Sequence, residues 1–307
     1  MNKVAFLFSG QGAQVPGMMK DIVDSSESAK KVFDTANKVL SRDISSLTFN
    51  GTQEELNLTH NTQPCMIAAE LAAYHAVLEK GIKPDVVAGF SLGEYAALVA
   101  AGALSDEDAL CIIQIRADAM QDAVPVGKGA MAAVMKLDAK SVKALCDEVE
   151  GYVIPVNYNC PGQIVVSGEN DAVDRLVEIA KERKIRTVKL AVSAPFHCAM
   201  MAPAAEKLAL AFRDIQFKQP TIPCYSNVDA LPYKNDSDVA NQLCLQAKSP
   251  VFWEQTIRNM ANDGVDIFVE IGPGTTLSKF VSRTIEGAKV FSVNSLETLN
   301  QLIEEMR

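Results

Sequence analysis

The chain has three histidines in 307 residues, His60, His75 and His197. It has one tryptophan, no C-x-x-C pair, no cluster of lysine and arginine, and no apolar stretch long enough to span a bilayer. Each lack excludes something. The apolar run behind Met1-Asn2-Lys3, Val4-Ala5-Phe6-Leu7-Phe8, is too short for a signal h-region or a spanning helix, so no membrane partner is expected. A net charge of −9 without a Lys/Arg run argues against a nucleic-acid partner. Seven dispersed cysteines (65, 111, 146, 160, 198, 224, 244) read as reduced thiols in a cytoplasmic protein. They form neither a disulfide frame nor a zinc site, and no metal is expected. The scarcity of histidine also shortens the search for a catalytic base.

What is present is alternation. Val4–Phe8 reads as a strand, Ser28–Leu40 and Gln63–Leu78 as helices, Val86–Ala88 as a strand and Glu94–Ala101 as a helix. This rhythm predicts an α/β core with a mainly parallel sheet. Between residues 126 and 192 it changes to strand Ala130–Val134, helix Lys140–Val149, strands Val153–Val156 and Ile164–Ser167, a helix carrying Val173, Leu176, Val177 and Ala180 on one face, and strand Thr187–Leu190. The order βαββαβ is the ferredoxin-like, split βαβ arrangement. The expected domains are therefore a core of 1–125 and 193–307, and an inserted small subdomain of 126–192 entered through the hinge Pro125-Val126-Gly127-Lys128-Gly129. A ligand belongs in the cleft between them. Ile222–Tyr225 and Asp266–Ile271 complete the predicted strands, the latter followed by Gly272-Pro273-Gly274 and a helix from Thr275.

Ser91 carries the chemistry. It stands in Gly89-Phe90-Ser91-Leu92-Gly93, between a strand and a helix. That placement marks a nucleophile elbow, in which flanking glycines let the chain turn sharply enough to lift a serine hydroxyl above the sheet. The amides opening the next helix can then meet an oxyanion. His197, in Ser193-Ala194-Pro195-Phe196-His197-Cys198, lies where the chain returns from the insert, beside the cleft, and is the candidate base. His60, in Leu58-Thr59-His60-Asn61-Thr62, reads as a polar loop before a helix; His75, among alanines, reads as part of a helix face. Gly10-Gln11-Gly12-Ala13-Gln14 follows the first strand but lacks G-x-G-x-x-G and its acidic partner, so it is no dinucleotide fingerprint. Gln11 either donates to an oxyanion beside the Leu92 amide or is a solvated residue of a tight turn. Arg116, on the otherwise apolar Cys111–Ala117 helix, either pairs with a nearby carboxylate of the chain or binds a substrate carboxylate with its rigid fork.

Phe8-Ser9-Gly10-Gln11-Gly12-Ala13-Gln14, Thr62-Gln63-Pro64, Gly89–Tyr95, Gln114-Ile115-Arg116, Asn157–Gln163, Pro195-Phe196-His197, Gln246 ahead of Ser249-Pro250-Val251, and Glu270–Gly274 span nearly the whole chain. Taken in order, they resemble the malonyl-CoA:acyl-carrier-protein transacylases of type II fatty acid synthesis and the related acyltransferase domains of polyketide synthases. The resemblance implies an α/β-hydrolase-like core with the ferredoxin-like insert, malonyl-CoA and acyl carrier protein as partners, no cofactor, and a monomer. It implies Ser91 as nucleophile and His197 as its base in a dyad, the His held by the backbone carbonyl of Gln246. Gln11 and the Leu92 amide form the oxyanion hole, Arg116 holds the malonyl carboxylate, and Gln63 lines the pocket.

Phe90 departs from the family, which commonly has His before the nucleophile; this alters pocket polarity but not the base. Phe196 resembles the malonyl-selecting form, whose bulk crowds out an α-methyl branch, worth roughly 1–3 kcal/mol per methyl. The implied reaction is ping-pong acyl transfer through malonyl-Ser91. Three alternatives stand beside it. A serine hydrolase of α/β-hydrolase type would need an Asp or Glu between nucleophile and His. A non-catalytic carrier-binding module would not need both Ser91 and His197. A free-standing polyketide-synthase acyltransferase would share every motif.

Overall fold

The computed structural model describes residues 3–192 and 194–306. Ser193, the expected start of the returning core segment, lies outside them, as do Met1, Asn2 and Arg307. Among the described residues nine strands form two sheets. They are β1 (Lys3–Phe8), β2 (Val86–Gly89), β3 (Gly129–Met135), β4 (Val153–Cys160), β5 (Gln163–Glu169), β6 (Thr187–Lys189), β7 (Cys224–Tyr225), β8 (Val265–Ile271) and β9 (Lys289–Val293).

The larger sheet has the order β7-β2-β1-β8-β9 and is parallel throughout. A parallel sheet is covered on both faces, which is why the central strand reads Val-Ala-Phe-Leu-Phe without polar alternation. Successive side chains of β1 serve opposite cores. Val4, Phe6 and Phe8 pack with the long helix Thr59–Glu79, the helix Gly93–Ala100 and the first half of the helix Asp106–Asp122. Ala5 and Leu7 face the helices Trp253–Asn262 and Thr276–Thr284. The segments that leave the carboxyl ends of β1 and β2 therefore emerge side by side, with Phe8 opposite Gly89. Ligands of open α/β sheets bind outside those ends.

The smaller sheet is antiparallel in the order β4-β5-β3-β6, with the helices Ala139–Asp147 and Asn170–Glu182 on one face. This is the ferredoxin-like arrangement expected from the sequence, next to the parallel core. Its other face packs on Ala119, Met120 and Val124 of the core and on Phe196, Cys198 and Met201. An isolated parallel bridge from Asn157 to Val251 also ties β4 to the larger unit.

Several elements depart from the sequence reading. The Gln63–Leu78 helix starts at Thr59, so His60 lies in it and not in a loop. The polar run that suggested a loop turns inward: Asn61 Nδ2 donates to Glu55 O (3.0 Å) and Thr62 Oγ1 to Leu56 O (2.5 Å). Those bonds satisfy backbone that precedes the helix. The 222–225 strand shrinks to Cys224–Tyr225, and the 153–156 strand extends to Cys160. Strand β9 and the helix Leu296–Glu305 have no counterpart among the predicted elements.

Candidate active site

Ser91 sits at φ +54°, in the left-handed region that costs a non-glycine residue of order 1–3 kcal/mol. The turn exists because the two glycines leave no room for anything else. A Cβ at Gly89 would lie 1.9 Å from the Gly93 carbonyl, and one at Gly93 would lie 2.4 Å from the carbonyl oxygens of Phe8 and Ser9. Asn227 clamps the turn. Its Oδ1 accepts from Ser91 N (2.7 Å) and its Nδ2 donates to Gly89 O (2.7 Å). With the Ser91 amide occupied, the next amide, that of buried Leu92 at the entry to the helix Gly93–Ala100, takes no protein acceptor among the described residues. Gln11, half-buried after β1, lines the same cleft.

His197 joins Ser91 from the far side of the cleft. Its Nε2 is 2.7 Å from Ser91 Oγ, and its Nδ1 is 2.9 Å from Gln246 O. A carbonyl only accepts, so Nδ1 carries the hydrogen and Nε2 is free to take the serine proton. Burial, reinforced by the Arg116 charge, pushes the imidazole down to about 4 despite its carbonyl partners. The ring is therefore neutral at pH 7, the state in which an imidazole can accept a proton.

Arg116 reaches the same point from the helix Asp106–Asp122. It is 1% exposed, a burial that a cation tolerates only with partners. Nη1 donates to Gln63 Oε1 (2.8 Å), and Nη2 donates to Gln246 Oε1 (3.1 Å) and Ser91 Oγ (2.9 Å). The guanidinium also lies over the Tyr95 ring, 5.5 Å from its centroid. These hydrogen-bond partners are all neutral, and Nε has none among the described residues. The arrangement presents a desolvated positive fork beside the serine oxygen. The cleft around it encloses about 490 Å³, its open mouth included, and is walled by Met120, Met131, Leu190, Val192 and Phe196.

Phe90 also lines the cleft while packing edge-on against Trp253 (5.4 Å) and beside Phe280 (6.5 Å). At this position the aromatic ring belongs to the second-face core and gives the cleft an apolar wall. The remaining histidines stay outside the cluster. His75 Nε2 pairs with Asp106 Oδ2 (2.9 Å), and the His60 carbonyl accepts from Arg42 Nη1 (3.2 Å).

The acyl transferase domain family matches residues 5–304. The malonyl CoA-acyl carrier protein transacylase of Bacillus subtilis (strain 168) is 43% identical, over 100% of this chain and 98% of its own length. That of Escherichia coli (strain K12) is 39% identical over 99% and 100%. The chain belongs to this transacylase family. Among solved structures, the transacylase of Clostridium perfringens superposes with a TM-score of 0.96 at 39% identity, covering 99% of this chain and 97% of that one. A malonyl-transacylase solved with its type II polyketide acyl-carrier protein superposes with a TM-score of 0.95 at 38% identity, covering 99% of each.

Beyond the residues read from the sequence, the structure of this transacylase family member adds three to the cluster. Asn227 holds the elbow. Glu94, three residues after Ser91 and fully buried, accepts from Gln246 Nε2 (2.7 Å) and Tyr233 Oη (2.5 Å). Gln246 Nε2 also donates to Ser91 O (2.7 Å), so this residue braces Ser91, His197 and Arg116 together. A charged residue on an alanine-rich helix directly behind a nucleophile was the available signal for Glu94. Nothing in local spacing marks Asn227 or Tyr233.

Proposed function

We propose that this protein transfers a malonyl group from malonyl-CoA to the phosphopantetheine thiol of an acyl carrier protein, in fatty acid biosynthesis, through a malonyl ester on Ser91. The observation that carries the reading is Arg116: a buried guanidinium with neutral partners, one of them the nucleophile itself. A substrate carboxylate completes it, whereas an acetyl group leaves it unpaired.

The geometry supports the following roles. Ser91 Oγ gives its proton to His197 Nε2 as it attacks the thioester carbon. Leu92 N and Gln11 meet the oxyanion, and the imidazolium returns the proton to the departing CoA sulfur. The carrier thiol then enters, loses its proton to His197 and takes the acyl group by the reverse steps. Gln63 and Gln246 hold the fork of Arg116, and the Gln246 carbonyl fixes the imidazole tautomer. Phe196 on the wall opposes an α-methyl branch. Residues 126–192 act as one subdomain closing the cleft over the core 1–125 and 193–307. We place the protein in the cytoplasm as a monomer. Among the described residues no helix is long and apolar enough to cross a membrane.

A polyketide carrier is the second reading, favoured by the similarity to a transacylase solved with such a carrier. The test mixes the protein with malonyl-CoA and holo carrier proteins of both kinds. Malonyl-carrier should form with little free malonate, and its rate on each carrier assigns the pathway. Release of malonate to water as the main product would replace the transferase reading with a hydrolase.

A further inference from the structure

Glu94 is fully buried in the first turn of its helix and does not line the cleft. Both its oxygens are engaged by donors. Oε1 accepts from Tyr233 Oη (2.5 Å) and Asn227 N (3.3 Å), and Oε2 accepts from Gln246 Nε2 (2.7 Å). These donors favour the carboxylate and oppose the burial that raises Glu94 to about 7. The same Gln246 amide offers its oxygen to Arg116 Nη2 at 3.1 Å. Guanidinium, amide and carboxylate thus stand in a row, with the amide dipole aligned between two opposite charges excluded from water.

The other titratable groups facing this row are Tyr95 on its own helix, Tyr233, Cys224 on β7 and, through the Gln246 carbonyl, His197. Burial pushes the two phenols and the thiol up and the imidazole down, which leaves all four neutral at pH 7. Above pH 7 Arg116 and Glu94 are the charges of this cluster, and they balance. A malonyl carboxylate on Arg116 adds a third charge and unbalances it.

We propose that Glu94 neutralises Arg116 while no malonyl group is bound, and that it takes up one proton from solvent when the malonyl carboxylate docks. The inference rests on the malonyl reading above. One O–H bond forms on Glu94 as one bond to that proton breaks in the hydronium ion or buffer acid that supplies it. Tyr233 Oη, able to accept as well as donate, receives the new hydrogen bond, and the malonyl carboxylate stays ionised. Glu94 touches no substrate; it is a positioning residue that acts on Arg116 through Gln246. It sits close to its switching point, because burial lifts it to about 7 while Tyr233, Gln246, Asn227 and the Arg116 charge hold it down. A modest field from the incoming carboxylate then suffices to protonate it.

The test mixes wild-type protein with malonyl-CoA in weakly buffered solution containing a pH indicator, and counts malonyl adducts by intact mass in the same samples. The CoA thiol titrates at about 8.5 and keeps its proton at pH 7 or below. Uptake per adduct should grow from about a tenth of a proton at pH 6 to about half at pH 7, as a group starting at about 7 requires. In wild type the KM for malonyl-CoA should climb by up to about tenfold per pH unit above 7, with kcat less affected. Glu94→Gln should abolish the uptake and flatten the KM profile. Adduct formation without proton uptake overturns the proposal and leaves the malonyl reading standing. Undiminished uptake in Glu94→Gln also overturns it, and absence of any adduct overturns both. Should Glu94→Gln not fold, the wild-type proton count decides alone.

Discussion

Glu94 and Glu70 are both fully buried carboxyl residues on helices packed against the parallel sheet, and their surroundings treat them in opposite ways. Glu94 is met by three donors and lies one amide away from Arg116. Glu70, mid-way along Thr59–Glu79, has no partner on either oxygen among the described residues. Burial, aided by the charge of Glu270, pushes its carboxyl well above the ordinary value. Glu270 in turn accepts from Leu277 N (3.1 Å) and Ser278 N (2.7 Å) at the start of the helix Thr276–Thr284, which suits it to carry the charge of that pair. Burial alone therefore does not make an electrostatic site. Donors decide which carboxyl can still ionise near pH 7 and which becomes a neutral part of the core.

The largest expected effects separate the Ser91 network from the rest of the core. Ser91→Ala and His197→Ala should each lower malonyl transfer by on the order of 10⁴-fold or more in a steady-state assay while leaving thermal stability near wild type. Next comes Arg116→Ala. It should erode the preference for malonyl over acetyl loading by about 10- to 100-fold, the worth of a charge-assisted hydrogen bond. Preference that survived intact would remove Arg116 from carboxylate recognition.

The pH profile follows from the depressed imidazole. The base is lost only as pH falls through about 4, so kcat/KM should show no acid limb at the ordinary 6.5. In Arg116→Gln the limb should move upward, because the cation that helps hold His197 neutral is gone.

The smallest effect is on stability and belongs to Glu70. In the unfolded chain this residue ionises above its ordinary 4.5, while the folded protein keeps it protonated. The unfolded state thus binds fewer protons, and stability falls as pH rises, by up to about 1.4 kcal/mol per unit for this one group. Glu70→Gln should make that slope shallower in denaturant melts between pH 5 and pH 8. An unchanged slope would mean that Glu70 is charged in the fold, and the contrast with Glu94 would collapse.

Much of this was legible in the sequence, for physical reasons that differ by element. Strands β1 and β2 announce themselves because both faces of a parallel strand are buried, and the elbow because only glycine survives at 89 and 93. The βαββαβ order of the insert followed from hydrophobic periodicity alone. Strand β9 escaped because Lys289-Val290-Phe291-Ser292-Val293 is a half-exposed edge strand with weak patterning. Arg116 stood out as a cation on an apolar helix, yet its partners Gln63 and Gln246 lie 53 and 130 residues away and came only with the family pattern. Asn227 and Tyr233 had no such help. Their contacts to Ser91 and Glu94 arise from the crossing of the β7 segment past the elbow, which no local spacing encodes.

The most direct measurement is the intact mass of the protein after mixing with malonyl-CoA in the absence of any carrier. One malonyl group should appear on the wild-type chain, map by peptide analysis to Ser91, and vanish in Ser91→Ala. A wild-type chain that stayed unmodified under rapid quench, or an adduct that persisted in Ser91→Ala, would contradict a malonyl-serine built on this elbow.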